Sequence, residues 1–184
     1  MKRLPTVSHP STTAGARAIA LVACAAILVG VAAARGDVKA VKKGAAVTIE
    51  SHLDLKAAPA KVWATLTSME GLCALTGYNV AGPLKQRSIA KLGETMPAQA
   101  RAETGRFFVT GFLPEKELRV TWEPASGAYL CGQRITLSAT PSGGTALDYS
   151  ERYTDDQPNV DETAAKAREH AAKGIEAFRA LVEK

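Results

Sequence analysis

The stretch Val47-Thr48-Ile49-Glu50-Ser51-His52-Leu53-Asp54-Leu55-Lys56-Ala57-Ala58-Pro59-Ala60-Lys61-Val62-Trp63-Ala64-Thr65-Leu66 carries two different periods. Up to Leu55 the side chains alternate. Val47, Ile49, Ser51, Leu53 and Leu55 share one side, and Thr48, Glu50, His52 and Asp54 take the other, the pattern of a strand with one face buried. After Ala57-Ala58 the spacing becomes helical, through Val62, Trp63 and Leu66. Pro59 marks the junction, because the first turn of a helix accepts a residue with no N–H to donate. A half-buried strand that runs straight into a short helix therefore opens the domain.

Further along the chain, residues 71–75 predict a second short helix. Between residues 80 and 154 the predicted elements are strands, over 88–91, 95–103, 106–112, 118–123, 131–140 and 145–154. Pro141-Ser142-Gly143-Gly144 is a hairpin turn between the last two, and Pro114-Glu115-Lys116-Glu117 serves the same purpose earlier. The chain closes on a long amphipathic helix. Asn159 and Glu162 form a capping pair, with Asp161 in the first turn where the helix dipole favours an acid. Ala164, Ala167, Ala171, Ile175, Phe178 and Val182 make one apolar stripe, with Leu181 beside it. Strand, short helices, a run of strands and one long helix predict an α+β fold: a curved antiparallel sheet wrapped around the C-terminal helix.

Upstream of this domain the composition changes. The 17 residues 18–34 (AIALVACAAILVGVAAA) are apolar or small, preceded by Lys2, Arg3 and Arg17 and followed by Arg35-Gly36-Asp37. This is the order of a secretory signal, and Ala32 and Ala34 fit its small-residue cleavage pattern. The expected division is a signal peptide over 1–34, a polar linker over 35–45 and the domain over 46–184. Two rival readings stand beside cleavage. Residues 18–34 approach the length of a membrane-spanning helix and would then stay as an anchor. Leu21-Val22-Ala23-Cys24 also resembles a bacterial lipoprotein box. All three readings expect the domain outside the cytoplasm, periplasmic or extracellular.

The net charge of +5 is partly a property of this segment. Without Lys2, Arg3 and Arg17 the chain has 20 basic and 18 acidic residues, and no basic stripe interleaved with aromatics. Nucleic acid is not an expected partner. Beyond Cys24 only Cys73 and Cys131 remain; an even pair in an oxidising compartment is either a disulfide or two buried thiols that never meet.

Three segments resemble the SRPBCC superfamily, the START-like and birch-pollen-allergen-like proteins. They are Leu55 to Leu66 with its alanine-proline turn and Val-Trp helix, Phe112-Leu113-Pro114-Glu115-Lys116-Glu117-Leu118-Arg119-Val120-Thr121-Trp122, and Ile135 to Tyr153 with its Pro-Ser-Gly-Gly-Thr turn. Together with the last helix they span residues 46–184 in consistent order. The resemblance implies the helix-grip fold. It does not imply one function, because the superfamily includes lipid and hormone carriers, polyketide cyclases and chaperone-ATPase activators. The stretch 71–82 lacks the second tryptophan often found in the activator-like branch.

The strand faces themselves suggest where a ligand would sit. Leu118, Val120 and Trp122 share a face, as do Cys131, Gln133, Ile135, Leu137 and Ala139, then Leu147, Tyr149, Glu151 and Tyr153, and Met96, Ala98, Ala100 and Ala102. Small residues on the sheet and on the helix stripe predict an apolar cavity with a few placed polar groups. Its expected lining is Met96, Ala98, Ala100, Trp122, Gln133, Tyr149, Glu151, Tyr153, Ala171 and Phe178. Trp63 and Phe178 also read as core anchors. The competing reading is a close-packed core with the tyrosine hydroxyls at the rim. Glu151 is the one candidate acid or base, against a reading as a rim carboxylate in water. No metal or cofactor is expected: His9, His52 and His170 are scattered, and no Cys/His spacing suits a metal. The expected function is an exported, non-enzymatic carrier of a lipid-like or aromatic ligand, meeting the membrane only through residues 18–34 if they are retained. The alternatives are a cyclase- or dehydratase-like enzyme using Glu151, and a protein-interaction module with a filled core.

Overall fold

A computed structural model describes residues 37–80, 82–100, 103–156 and 158–184. The signal, anchor and lipoprotein readings of residues 1–34 fall outside these. Among the described residues no helix is long and apolar enough to cross a membrane.

The alternating stretch forms strand β2, Ala46–Leu55, and buries Val47, Ile49, Ser51, Leu53 and Leu55. The helical stretch after it forms α1, Pro59–Leu66, with Val62 and Leu66 buried. Helix α2, Met69–Thr76, follows almost at once, because the Ser68 hydroxyl accepts from Gly71 N and caps the new helix. Strands β3 (Thr95–Ala100), β4 (Glu103–Leu113), β5 (Glu117–Pro124), β6 (Cys131–Ala139) and β7 (Thr145–Thr154) then lead to helix α3, Val160–Val182. At the start of α3 the Asn159 side chain accepts from Glu162 N and donates to Glu162 Oε2, both at 3.1 Å.

Two expectations are corrected. Residues 37–43 of the expected linker form a strand, β1, Asp37–Lys43, paired antiparallel with β2 from Asp37↔His52 to Lys43↔Ala46. A two-residue turn closes this hairpin, with Gly44 at φ 60° where a side chain would be strained. Val38, Ala40 and Lys42 alternate on its inward side, a pattern that the flanking lysines obscure in the sequence. Lys42 points inward and is buried, 3.6 Å from Asp155. Second, residues 88–91 make no strand; Ser88 only bridges to Ser68.

The seven strands form one antiparallel sheet in the order β1-β2-β7-β6-β5-β4-β3. Helix α3 packs on α2 and on the β1–β2 end of the sheet. Its buried stripe is Thr163, Ala167, Ala171, Gly174, Ile175, Phe178 and Val182, so Thr163 takes the place expected for Ala164. Gly174 brings α3 close to α2: a Cβ there would stand 2.3 Å from the backbone oxygen of Leu75. That atom is fixed in a helix end and has no rotamer by which to yield. Gly174→Ala should lower the unfolding free energy by about 1–3 kcal/mol, the usual cost of overfilling a packed site. Urea titration should show a lower midpoint with an unchanged slope.

Candidate functional site

The inner face of the sheet is largely apolar, and its polar side chains gather most densely around Glu151. Cross-strand pairing lines up Met96, Phe107, Trp122 and Cys131 across β3, β4, β5 and β6. The neighbouring row is Ile49, Glu151, Gln133 and Val120 across β2, β7, β6 and β5. All eight side chains are buried. Glu151 therefore faces inward, not the rim. Its Oε2 accepts from the Tyr149 hydroxyl at 2.5 Å and its Oε1 from the Cys131 thiol at 2.9 Å. Gln133 Nε2 in turn donates to Cys131 Sγ at 3.4 Å. Arg134, on the same strand as Gln133, lies on the outer face, where it pairs with Glu117 at 2.7 Å.

Burial, and then the Glu151 charge, push the ionisation of Tyr149 well above the ordinary tyrosine range. The same two causes raise the Cys131 thiol. Both groups thus keep their protons and serve Glu151 as donors. With each carboxylate oxygen already engaged, the arrangement holds a charge in place.

A residue that periodicity did not reveal completes the cluster. Tyr78 lies just beyond α2, in a segment with no regular pattern. Its ring centroid is 5.1 Å from that of Phe107 and 4.7 Å from that of Trp122, and those two rings are 5.3 Å apart. Its hydroxyl is in polar contact with the Cys131 thiol. Trp122 is seated over Gly105, where a Cβ would come within 2.6 Å of the indole ring. Two side-chain atoms in this region have no hydrogen-bond partner, Trp122 Nε1 and Gln133 Oε1. Further along β2, the Ser51 hydroxyl is in the same condition.

Of the expected lining residues, Met96, Ala98, Trp122, Gln133, Tyr149, Glu151, Ala171 and Phe178 are buried, and Ala100 and Tyr153 are half-buried. The sheet brings Trp122, Gln133, Tyr149 and Glu151 together around Cys131. Ala171 and Phe178 belong to the buried face of α3. On the inner face Tyr78 packs against Phe107 and Trp122. Grooves lie on the outer face, one over Lys39, Glu50, His52, Arg134 and Asp148 and another over Lys43, Thr48 and Arg152. Cys73 and Cys131 are free, buried thiols rather than a disulfide. Burial pushes the Cys73 thiol up to about 12.

His52 is on the outer face. Its Nδ1 is 2.7 Å from Asp148 Oδ1 and its Nε2 is 3.5 Å from Asp54 Oδ1. The hydrogen bond to Asp148 is the main cause of its raised pKa. A raised folded-state value means that the protonated ring contributes stability below about pH 6.5, its unfolded value, and that this contribution disappears as pH rises through the folded value. An NMR titration should find His52 titrating above 6.5, and Asp148→Asn should bring it back toward that value. For the interior, Tyr149→Phe removes a donor from a buried carboxylate and should cost about 1–3 kcal/mol in urea unfolding.

No family model and no curated protein matches this chain. Solved structures do match. A protein from Mesorhizobium loti is 19% identical with a TM-score of 0.55, the match covering 74% of this chain and 96% of that one. A protein from Chromobacterium violaceum is 21% identical with a TM-score of 0.55, covering 74% and 98%. Ara h 8.0201 is 14% identical with a TM-score of 0.53, covering 75% and 98%. DynU16, a protein of the dynemicin biosynthetic locus, is 12% identical with a TM-score of 0.56, covering 74% of this chain and 47% of its own. At these identities the likeness concerns the fold. The seven-stranded antiparallel sheet and its long last helix are the helix-grip architecture of the SRPBCC, birch-pollen-allergen-like proteins.

Proposed function

We propose that this domain binds a small, largely apolar molecule against the inner face of its sheet and carries it outside the cytoplasm. One observation supports the reading most directly: buried side-chain atoms without a hydrogen-bond partner, Trp122 Nε1 and Gln133 Oε1, on the largely apolar inner face that also carries Glu151. A core selected for stability alone gains by pairing such atoms or replacing them, since each costs about 1–3 kcal/mol when left unpaired. A few polar groups set in an apolar surround are the usual make-up of a small-molecule site. The fold likeness to Ara h 8.0201 and DynU16 is compatible with this reading. With both Glu151 oxygens already hydrogen-bonded, holding a ligand fits the cluster better than moving a proton. Export is supported by Lys2, Arg3 and Arg17 ahead of the apolar run 18–34 and by Ala32 and Ala34 at its end.

The reading is tested on protein recovered from the envelope of its own host. Native mass spectrometry, followed by organic extraction, should find an apolar molecule bound to a chain beginning near Arg35. Re-addition of that molecule at a hundred times its Kd should stabilise the stripped protein by about 2.7 kcal/mol. A protein that emerges empty, and that no added lipid or aromatic protects from heat, overturns the carrier reading. Recovery in the cytoplasm overturns export.

A further inference from the structure

The sheet is open and has two edges, β1 and β3. An edge strand offers main-chain donors and acceptors to any extended chain that meets it. The β3 edge is guarded. It carries Pro97, which has no N–H to donate, and Asn79 exchanges two hydrogen bonds with Gln99 on its far side, at 2.7 and 2.9 Å. Strand β1 has neither device. It is seven residues long, contains no proline and pairs in unbroken register with β2. Among the described residues no strand lies beyond it.

The β1–β2 hairpin fixes which main-chain groups point to that edge. Gly44 and Ala45 form a two-residue turn, so the flanking Lys43 and Ala46 exchange both of their hydrogen bonds. Bonded and non-bonded pairs alternate from there. Val41, Lys39 and Asp37 therefore also bond to β2, and the N–H and C=O of Ala40, at the middle of the strand, point away from it. Side chains alternate as well. Asp37, Lys39, Val41 and Lys43 stand exposed on the outer face, Val41 at 62%. Lys42 is turned to the interior beside Asp155 and does not guard the edge.

Lysines on an edge usually turn other strands away. Here their positions admit one kind of partner. Two antiparallel copies of β1, related by a two-fold axis at Ala40, set Asp37 of each opposite Lys43 of the other. Lys39 then falls opposite Val41, where the stem of the lysine covers the valine. Moving the axis one residue back sets Lys39 against Lys39, and one residue forward sets Lys39 against Lys43. Like charges directly opposite each other are destabilising. The stretch Asp37-Val38-Lys39-Ala40-Val41-Lys42-Lys43 is thus complementary to itself in its longest antiparallel register. Its acid, 3.7 Å from Lys39 of the same strand and 76% exposed, is open to a second cation.

We propose that β1 is a pairing edge for a second copy of this chain. The interface is two-fold symmetric, with Ala40 bonded to Ala40 of the second copy and the two sheets continuing as one. A single strand pair makes a small contact, so the dimer is weak and forms as concentration rises. The inner face of the sheet takes no part in it, and the inference does not depend on the carrier reading.

The test is sedimentation velocity over micromolar to near-millimolar protein, on the chain as its host processes it, in detergent where residues 18–34 are retained. A reversible monomer–dimer equilibrium should appear. Ala40→Pro removes the outward N–H at the axis and leaves the β1–β2 bonds in place; it should weaken the dimer at least about tenfold. Asp37→Lys sets like charges opposite each other at both ends and should weaken it about tenfold, and adding Lys43→Asp should restore it to within about threefold of the parent. Hydrogen exchange supplies the register: the Ala40 amide should be protected only in the dimer, and those of Lys39 and Val41 in both states. Should the proline variant not fold, the charge exchange and the Ala40 amide decide. A monomer at every concentration, a dimer indifferent to Ala40→Pro, or an Asp37→Lys defect that Lys43→Asp does not relieve overturns the inference. So does an Ala40 amide already protected in the monomer, which would mean that another part of the chain covers the edge.

Discussion

A carboxylate placed inside a sheet-lined core must find its donors there, and Glu151 finds both on its own sheet. Tyr149, two residues back on β7, supplies one, and Cys131, on the neighbouring β6, supplies the other. This requirement couples the register of the strands to their chemistry. Side chains alternate between faces, so a slip of one residue would turn Glu151 out and bring Ser150 or Arg152 inward. The pairing Glu151↔Gln133 on one side and Glu151↔Ile49 on the other is the register that leaves the carboxylate hydrogen-bonded.

That outer face is organised by charge. Asp37, His52 and Asp148 fall in one cross-strand row, and Glu117 is held between Arg119 at 2.8 Å and Arg134 at 2.7 Å. The two guanidiniums, Arg119 first, hold the Glu117 carboxyl below its ordinary range. Pairs whose guanidiniums stand half in water add little stability each. They do mark the face as one made for water. The sheet thus separates an ionic outer surface from a largely apolar interior in which one carboxylate is held by neutral donors, with Lys42 and Asp155 paired near the β1 edge.

The helical side of the domain sets the position of Tyr78. Gly174 lets α3 approach the end of α2, and Gly77 then reverses the chain with the His170 ring against its backbone: a Cβ on Gly77 would lie 2.3 Å from His170 Nε2. The chain leaves that contact directly into Tyr78. A tight helix–helix crossing at one edge of the molecule is in this way transmitted to the polar end of the interior, over a single residue.

Much of this was readable from residue order. Alternation in Val47 to Leu55 specified the inward face of β2 residue by residue, and the same rule put Trp122, Gln133, Tyr149 and Glu151 on inward faces. The cap at Asn159 and the stripe through Phe178 defined α3. These features are local: the period of side-chain direction and the needs of a helix end are properties of neighbouring residues. What depended on contacts far apart in the chain was not readable. Strand β1 was hidden because lysines filled both its faces, and its inward Lys42 is tolerated only because Asp155 comes to meet it. Tyr78 carried no periodic signal at all, and its importance comes from Phe107, Trp122 and Cys131, each on a different strand. The sequence by itself determined which side chains face the interior. Only the tertiary structure decided which of them touch, because the donors of a buried carboxylate and the walls around an aromatic ring are chosen by strand register and helix approach, not by neighbours along the chain.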